Sequence, residues 1–217
     1  MNNVICVYTG KKYSLKYVNI LYNMVERNLS KPFNFYCLTD NCTQEFNKNI
    51  KIINVPHPIM KNWWNKIYLY NPILGIEGNI LYMDLDVVIL NKLDDFFNQF
   101  KDEDFLCIRD FGQPKTSINS SVLRYNLKHH SHIWDKYIKD KKNYDTLHGD
   151  QSVITDIMFR HTQTRLLPDD WTYSFKWPDR GKRKKYEKYK LEDHPLKTKA
   201  KICVFHGHPN PDYAMQY

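Results

Sequence analysis

Residues 78–90, GNILYMDLDVVIL, place two aspartates in the middle of a long apolar run, and this feature restricts the fold more than any other. The aliphatic and aromatic residues on both sides of the acids are typical of a buried strand. Side chains of an extended strand alternate between its faces, so Asp84 and Asp86 are predicted to project to the same side. A fold for this chain must bury the run and still accommodate the two acids.

Two neighbouring buried carboxylates repel each other and tend to take up protons. A divalent cation relieves this repulsion, binds carboxylate oxygens and can bridge them to a diphosphate. The simpler alternative is that the acids lie where a strand leaves the sheet and that one of them caps a turn. The pattern predicts a metal site at Asp84 and Asp86, and the alternative stays open because so short a motif often matches by chance.

The other apolar runs predict strands that alternate with helices through the first half of the chain. The predicted strands are residues 4–10, 33–40, 50–55, 78–90, 104–111, 164–168 and 201–207, and the predicted helices are residues 14–28, 62–74, 130–141 and 150–159. This order is typical of an α/β fold with a largely parallel sheet. Ligands of such sheets collect outside the carboxyl ends of the strands, where Gly10, Asp40, Asp84 and His206 are expected to lie.

Composition indicates a globular chain. The 217 residues are 42% hydrophobic and 15% aromatic, enough for a sizeable core in one domain spanning residues 1–217. No stretch resembles a signal peptide or approaches the roughly 20 apolar residues of a transmembrane helix. The five cysteines form no CxxC pair, so we expect them to be reduced core residues of a cytoplasmic protein.

Two later motifs add candidate ligands. HGDQSVI, residues 148–154, places Asp150 at the start of a predicted helix, where capping is the simpler role for a carboxylate. VFHGHPNP, residues 204–211, places two histidines after a predicted strand. An imidazole at that position is a candidate third protein ligand beside Asp84 and Asp86, although a lone histidine is more often structural.

The order of these motifs resembles the GT-A-fold glycosyltransferases, especially the glycogenin- and galactosyltransferase-like family 8 and its relatives, over nearly the whole chain. The resemblance implies a Rossmann-like domain with a central mixed, mostly parallel sheet flanked by helices. VYTG, residues 7–10, resembles the first strand of the family, which implies that Tyr8, Thr9 and Gly10 contact the uridine. WWNKIYLY, residues 63–70, resembles the helix that presents a lysine, here Lys66, to the nucleotide sugar.

The later motifs resemble the rest of the family's site. The central run is similar to LYLDxDxxV, which implies that Asp84, Leu85 and Asp86 approach the ribose and phosphates and that the two acids bind Mn²⁺ or Mg²⁺. INSSVLRYN, residues 118–126, is similar to FNxGVxLxN, which lines the donor-sugar and acceptor pocket through Asn119 and Ser120. HGDQSVI is similar to the DQxxLN helix start, which places Asp150 and Gln151 beside the reacting sugar.

The last motif, VFHGHPNP, is similar to the family's HFxGxxKPW. It implies that His206 is a metal ligand, with His208 as the alternative, and that Gly207, His208 and Pro209 lie against the diphosphate. The sequence departs from the family at three positions. Ser121 stands where glycine is usual, Asn210 where lysine is expected, and Asp212 where tryptophan closes the motif.

The resemblance implies a DxD-type hexosyltransferase that moves a hexose from a nucleotide-diphosphate sugar, expected to be UDP-linked, to an acceptor hydroxyl in glycan synthesis. The expected acceptor is a glycan or a lipid-linked sugar. An inverting reaction requires a carboxylate as general base, and Asp150 is the candidate. A retaining reaction, the course of family 8, is favoured, and Asp150 and Gln151 then line the sugar face.

Two other function classes fit parts of the sequence. MDLDV matches the DxDx(T/V) signature of haloacid-dehalogenase-type phosphatases, but those proteins carry it on their first strand, and here other strands precede it. The net charge of +8 and the KKYEKYK segment suggest single-stranded nucleic-acid binding. No recognition motif supports that interpretation and the paired acids would repel phosphate, so we expect no nucleic-acid partner.

Residues 180–190, RGKRKKYEKYK, hold seven lysines or arginines against one acid, Glu187, within a basic loop predicted at about residues 178–200. A solvated surface is the simplest interpretation of such a run. Two others stay open: a loop over the donor phosphates, or peripheral contact with an anionic membrane at its inner face that carries a lipid-linked acceptor.

Overall fold

The computed structural model describes residues 1–43, 45–55, 60, 62–177, 181, 200–208 and 210–214. The strands are β1 (Asn2–Tyr8), β2 (Phe33–Thr39), β3 (Ile50–Asn54), β4 (Asn79–Met83), β5 (Val87–Ile89), β6 (Phe105–Arg109), β7 (Ile118–Asn126), β8 (Thr164–Leu166), β9 (Thr172–Ser174) and β10 (Ile202–Val204). The α-helices are α1 (Leu15–Asn28), α2 (Asp95–Asn98), α3 (Leu127–His130), α4 (His132–Lys139), α5 (Lys141–Tyr144), α6 (Asp150–Met158) and α7 (Pro211–Ala214), and two 3₁₀ helices span Asn62–Tyr70 and Pro72–Leu74.

In the described part of the chain, seven strands form a mixed sheet in the order β3-β2-β1-β4-β7-β6-β8. Four neighbouring pairs are parallel, and β7 runs antiparallel to both β4 and β6. The predicted α/β fold with a mixed, mostly parallel sheet is therefore confirmed. Strands β5, β10 and β9 form a second sheet beside the first.

The seven-stranded sheet is covered on both faces, which explains why its central strand β4 is almost entirely apolar. On β4, Leu81 and Met83 pack into one buried cluster with α1, whereas Ile80 and Tyr82 pack into another with the long 3₁₀ helix, α4 and α6. The helix α1 buries Val18, Leu21 and Val25 against the first face, at the spacing that the sequence predicts.

The continuous strand predicted over residues 78–90 is wrong in its middle. Strand β4 ends at Met83, and the backbone N–H of Asp84 makes one further bond, 2.8 Å long, to the carbonyl of Ser121. Residues 84–86 then turn, and β5 pairs with β10 in the second sheet. Because the chain changes sheets between the two aspartates, strand alternation does not set their directions.

Three further elements differ from the sequence prediction. The helix predicted over residues 62–74 is a pair of 3₁₀ helices, and the second begins at Pro72 after Asn71, whose side chain accepts a 3.0 Å bond from the N–H of Ile73. The helix predicted over residues 130–141 is divided among α3, α4 and α5. Strand β7, which its polar residues concealed, is buried at every position.

The basic run of residues 180–190 lies outside the described residues except for Gly181, so its three interpretations stay predictions. The single-domain organisation also stays a prediction. In the part of the chain that the structure describes, no helix is both long and apolar enough to cross a membrane.

Candidate active site

A cleft of about 510 Å³ opens beyond the carboxyl ends of the parallel neighbours β1 and β4. This is the position at which open α/β sheets bind ligands. Its lining combines backbone and side chains from the β1–α1 loop, the long 3₁₀ helix, the turn after β4, β7, the start of α6 and the loop after β10. The lining residues are Val7, Tyr8, Thr9, Lys11, Lys12, Tyr13, Trp63, Lys66, Tyr82, Asp84, Leu85, Asp86, Asn119, Ser120, Ser121, Asp150, Gln151, His206 and Gly207.

A buried lysine joins two of the predicted acids. The Nζ atom of Lys66 lies 3.0 Å from Oδ1 of Asp84 and 3.1 Å from Oδ2 of Asp150, and it donates to the Ser120 hydroxyl at 3.2 Å. Ser120 in turn donates to Oδ2 of Asp150 at 2.8 Å. We call Lys66, Asp84, Ser120 and Asp150 the lysine network. It links the 3₁₀ helix, β7, the turn after β4 and α6 across the floor of the cleft.

The electrostatics of the lysine network keep Lys66 charged. Burial alone would lower the pKa of Lys66, but the carboxylates of Asp150 and Asp84 outweigh it and raise the pKa above its ordinary value. The ammonium group also lies 5.1 Å from the centre of the Tyr82 ring, which adds a cation–π contact, and the Tyr82 hydroxyl donates to Oδ1 of Asp84. Lys66 is therefore a fixed positive charge in the cleft floor.

Asp86 lies in different surroundings although it is only two residues from Asp84. Its side chain is buried, and its Oδ2 atom accepts hydrogen bonds from the Tyr13 hydroxyl at 2.9 Å and from the Gly207 backbone N–H at 2.6 Å. Burial and the nearby charge of Asp84 raise the pKa of Asp86, against the opposing effects of Gly207, Tyr13 and Lys12. A positive charge brought close to Asp86 would favour its ionised form.

The amide of Gln151 is held from both ends. Its Oε1 atom accepts from the Ser120 backbone N–H at 3.3 Å and from the Asn119 side chain at 3.4 Å, and its Nε2 donates to Asp110 at 3.1 Å. The other carboxylate oxygen of Asp110 accepts from the backbone N–H groups of residues 112 and 113 at 2.8 and 2.6 Å. These contacts fix the start of α6 against β6 and β7, and with it the side chains of Asp150 and Gln151.

The two aspartates have the ligand chemistry that a hard divalent cation prefers, and their metal role stays a prediction. The ion pair with Lys66 and the hydrogen bond from Tyr82 both involve Oδ1 of Asp84, and both hydrogen bonds to Asp86 involve its Oδ2. Among the described residues, Oδ2 of Asp84 and Oδ1 of Asp86 therefore accept no hydrogen bond. Such oxygens suit Mg²⁺ or Mn²⁺, which commonly take one or two carboxylates and complete their shell with phosphates and water. Within the described ranges no three His, Cys, Asp or Glu side chains are placed to hold one ion together, so a ligand role for His206 stays a prediction.

The loop after β10 brings His206 and Gly207 to the wall of the cleft. His206 has a left-handed backbone with φ of 56°, which costs a non-glycine residue about 1–2 kcal/mol, and Gly207 follows with φ of 80°. The His206 ring lies 5.0 Å from that of Phe111 and 4.8 Å from that of Trp177. This conformation turns the Gly207 N–H towards Asp86, and Lys176 stabilises it by donating to the His206 carbonyl at 2.9 Å.

Most of the predicted site residues lie in this one cleft. Tyr8, Thr9, Lys66, Leu85, Asn119, Ser120, Asp150, Gln151, His206 and Gly207 line it together with the two aspartates. Gly10 does not line it; its N–H donates to both oxygens of Asp40, at 3.1 and 3.2 Å. His208 is exposed and outside the lining, and Pro209 lies outside the described residues. The roles of all these residues stay predictions.

Sequence reasoning missed several residues that the fold brings to the cleft. Tyr13 and Lys12 follow the first strand, where the prediction stopped at Gly10, and Tyr82 is hidden within the apolar run. Asp110 directly follows β6, so the same strand-end rule that selected Asp84 could have selected it. Trp63 stands three residues before Lys66 and carried no separate signal.

Solved glycosyltransferases share this fold over almost the whole chain. The galactosyltransferase LgtC, solved in complex with donor and acceptor sugar analogues, aligns with a TM-score of 0.65 and 13% identity over 96% of this chain and 88% of that chain. The glycosyltransferase GlyE of Streptococcus pneumoniae TIGR4 aligns with a TM-score of 0.69 and 16% identity over 96% of this chain and 55% of that chain.

The bifunctional glycosyltransferase WbbM aligns with a TM-score of 0.65 and 10% identity over 96% of this chain and 46% of that chain. No protein-family model and no curated protein sequence matches the chain. At identities this low the likeness establishes the fold, and the expected GT-A fold is confirmed.

Proposed function

We propose that this chain is a metal-dependent glycosyltransferase that moves a hexose from a UDP-linked sugar to the hydroxyl of a glycan or lipid-linked sugar acceptor. The observation that supports the proposal best is the meeting of Asp84, Asp86, Lys66 and Asp150 in one cleft at the carboxyl end of the sheet. Glycosyltransferases with this fold are the solved structures that it resembles.

The charges around the cleft suit a diphosphate. Neither Lys12 nor Lys176 forms an ion pair with a carboxylate in the described part of the chain. Burial lowers the pKa of Lys176, and the nearby charge of Lys12 lowers it further, whereas Asp86 raises it. The two ammonium groups and the aspartate are therefore close enough to influence one another. Both lysines are close to Gly207. The Nζ atom of Lys12 lies 3.6 Å from the position that a Cβ atom added to Gly207 would take, and Lys176 donates to the carbonyl of His206, the preceding residue. We infer that they contact the phosphates from that side.

The aspartate pair would hold Mn²⁺ or Mg²⁺ through the carboxylate oxygens that accept no hydrogen bond. A cation bound there would stabilise the negative charge that develops on the departing diphosphate. Asp86 keeps its orientation through Tyr13 and Gly207, and Asp84 through Tyr82 and Lys66. These contacts use one oxygen of each carboxylate, and the other would bind the proposed ion.

Asp150 and Gln151 would line the face of the transferred sugar. Lys66 and Ser120 fix Asp150, and Asp110 with the β7 backbone fixes Gln151, so both side chains are held before a substrate arrives. Such preorganisation suits groups that position a sugar and stabilise its charge. We favour a retaining reaction because Asp150 is tied into the lysine network, whereas a general base must exchange a proton with the acceptor.

A phosphatase of the haloacid-dehalogenase type is not favoured. The acids follow β4, which β1, β2 and β3 precede along the chain, and LgtC and GlyE, which share the fold, are glycosyltransferases.

Calorimetric titration of UDP tests the proposal. The titration is run on the native chain with Mn²⁺ and with EDTA, and on Asp86→Ala with Mn²⁺. We expect binding that requires both the ion and Asp86. Asp135→Ala, which removes an exposed aspartate of α4, is the matched control and is expected to bind UDP like the native chain. UDP binding that persists unchanged in EDTA would contradict metal dependence, and absence of binding in every condition would contradict UDP as the carrier.

A binding result is followed by hydrolysis assays with UDP-glucose, UDP-galactose and UDP-N-acetylglucosamine, because pocket contacts to single hydroxyl groups decide between these donors. The preferred donor is then used to screen acceptors.

A further inference from the structure

Trp63 is the one tryptophan in the described ranges that no other aromatic ring contacts. Its side chain is on the rim of the cleft and the residue is 53% exposed. Each of the other four packs against an aromatic ring: Trp64 against Tyr137, Trp134 against Tyr68, Trp171 against Phe96, and Trp177 against His206. An indole left open to water at the edge of a binding cleft is a candidate contact surface for a ligand.

The position of the indole along the cleft is set by Gly149. A Cβ atom added to Gly149 would lie 2.7 Å from Nε1 and 3.1 Å from Cδ1 of Trp63, so the edge of the indole lies directly on the glycine backbone. Gly149 immediately precedes Asp150 and Gln151 at the start of α6. Trp63 is therefore next to the residues proposed to line the transferred sugar.

Trp63 differs in chemistry from the rest of the cleft. The floor is polar and charged through the lysine network, which can hydrogen-bond the hydroxyl groups of a sugar but offers no apolar surface to its ring. Of the tyrosines that line the cleft, Tyr8 and Tyr82 are buried, and the Tyr13 hydroxyl is bonded to Asp86. A pyranose ring presents an apolar face of C–H groups, and the open face of Trp63 is the complementary surface.

We propose that Trp63 is the platform on which the pyranose ring of the acceptor stacks beside the reacting sugar. This inference rests on the proposed glycosyltransferase function and adds an acceptor-binding residue to it. The contact of Gly149 with the indole edge would hold the platform at a fixed angle, which explains why a residue without a side chain stands before Asp150.

Fluorine NMR tests the platform with simple sugars, so the natural acceptor need not be identified first. The five tryptophans are replaced by 5-fluorotryptophan, and the signal of Trp63 is assigned from its loss in Trp63→Phe. The probes are UDP with Mn²⁺, then the methyl glycosides of glucose, galactose and N-acetylglucosamine added to the UDP complex. We expect at least one glycoside to shift the Trp63 signal, and UDP alone to leave it in place.

Binding measurements on variants separate a stacking role from a structural one. Trp63→Ala is expected to weaken glycoside binding about tenfold, which is about 1.4 kcal/mol, and to keep UDP affinity within about twofold. Trp63→Phe is expected to recover part of the loss. Gly149→Ala, which displaces the indole without removing it, is expected to weaken glycoside binding in the same way. Ile73→Ala, at a 76% exposed apolar residue outside the lining, is the control and should change neither affinity.

Three results would overturn the inference. The first is a Trp63 signal that no glycoside shifts although UDP binds. The second is a shift produced by UDP alone or by UDP-hexose without acceptor, which would place the donor on Trp63. The third is a parallel loss of UDP and glycoside affinity in Trp63→Ala, which would show that the indole only supports the start of α6. Failure of UDP to bind the native chain contradicts the proposed function itself, and the inference with it.

Discussion

Asp84 and Asp86 are two residues apart, yet Asp84 forms an ion pair with a lysine, whereas the hydrogen-bond donors to Asp86 are uncharged. Asp84 belongs to the lysine network and lies 3.0 Å from the ammonium group of Lys66. Asp86 is more deeply buried and receives hydrogen bonds from the Tyr13 hydroxyl and the Gly207 N–H. The turn between β4 and β5 causes this difference, because it directs one acid towards the 3₁₀ helix and β7 and the other towards the loop after β10.

The difference lies in the ion pairs that the two acids make. Within ion-pair distance, Lys66 is shared by Asp84 and Asp150, while Asp86 has no cationic partner among the described residues. Counted within ion-pair distance, these three carboxylates and one ammonium group carry two net negative charges if all are ionised, while Lys12 and Lys176 act on Asp86 from farther away. The pKa of Asp86 is raised because burial and Asp84 both oppose its ionisation.

Removal of Lys66 should have the largest effect, because it leaves the lysine network without its cation. Lys66→Met would leave the buried Asp150 and the partly buried Asp84 without their cation, and we expect the free energy of unfolding to fall by about 3 kcal/mol, the lower end of the range for a broken buried pair. Urea denaturation at neutral pH measures this loss. Lys101→Met is the matched control, because its pair with Glu103 is exposed at 4.0 Å and is expected to contribute about 0–1 kcal/mol. A similar small loss in both variants would mean that the network is open to water.

The second prediction concerns Asp86 and the divalent cation that we propose it binds. Without nucleotide, Mn²⁺ at 100 times its dissociation constant should stabilise the native chain by about 2.7 kcal/mol. Asp86→Asn should abolish this gain while keeping the fold, since the amide oxygen can still accept from Tyr13 and Gly207. Thermal unfolding with and without Mn²⁺ measures both values, and Asp135→Asn serves as the control. Equal stabilisation of native chain and Asp86→Asn would place the ion elsewhere.

Much of the fold follows from the sequence because local pattern and burial agree there. Strands β1, β2 and β4 and helix α1 lie where periodicity and turn residues predict them. Strand β7 could not be assigned in the same way. Its Asn119, Ser120 and Ser121 line the cleft, and these polar side chains interrupt the hydrophobic pattern of a fully buried strand.

The candidate site was predictable in its residue types but not in its pairings. The motifs indicate Asp84, Asp86, Lys66 and Asp150, and the structure places all four in one cleft. That Lys66 joins Asp84 to Asp150, and that Tyr13 and Gly207 hold Asp86, depends on contacts between residues that are distant in the sequence. Such contacts depend on where the turn after β4 leaves the sheet, which a single sequence does not specify.

The smallest expected effect belongs to Tyr13, which would act on the proposed ion only through Asp86. Tyr13→Phe removes the 2.9 Å hydrogen bond and leaves the Gly207 N–H to orient the carboxylate alone. Loss of a residue that orients a metal ligand typically lowers metal affinity about 10–100-fold, and we expect the lower end because one donor remains. Isothermal titration of Mn²⁺ measures the change. Tyr17→Phe, whose ring lies 5.0 Å from that of Tyr13, is the control and should bind Mn²⁺ within about twofold of the native chain. An unchanged affinity in Tyr13→Phe would mean that the Gly207 backbone is sufficient to orient Asp86.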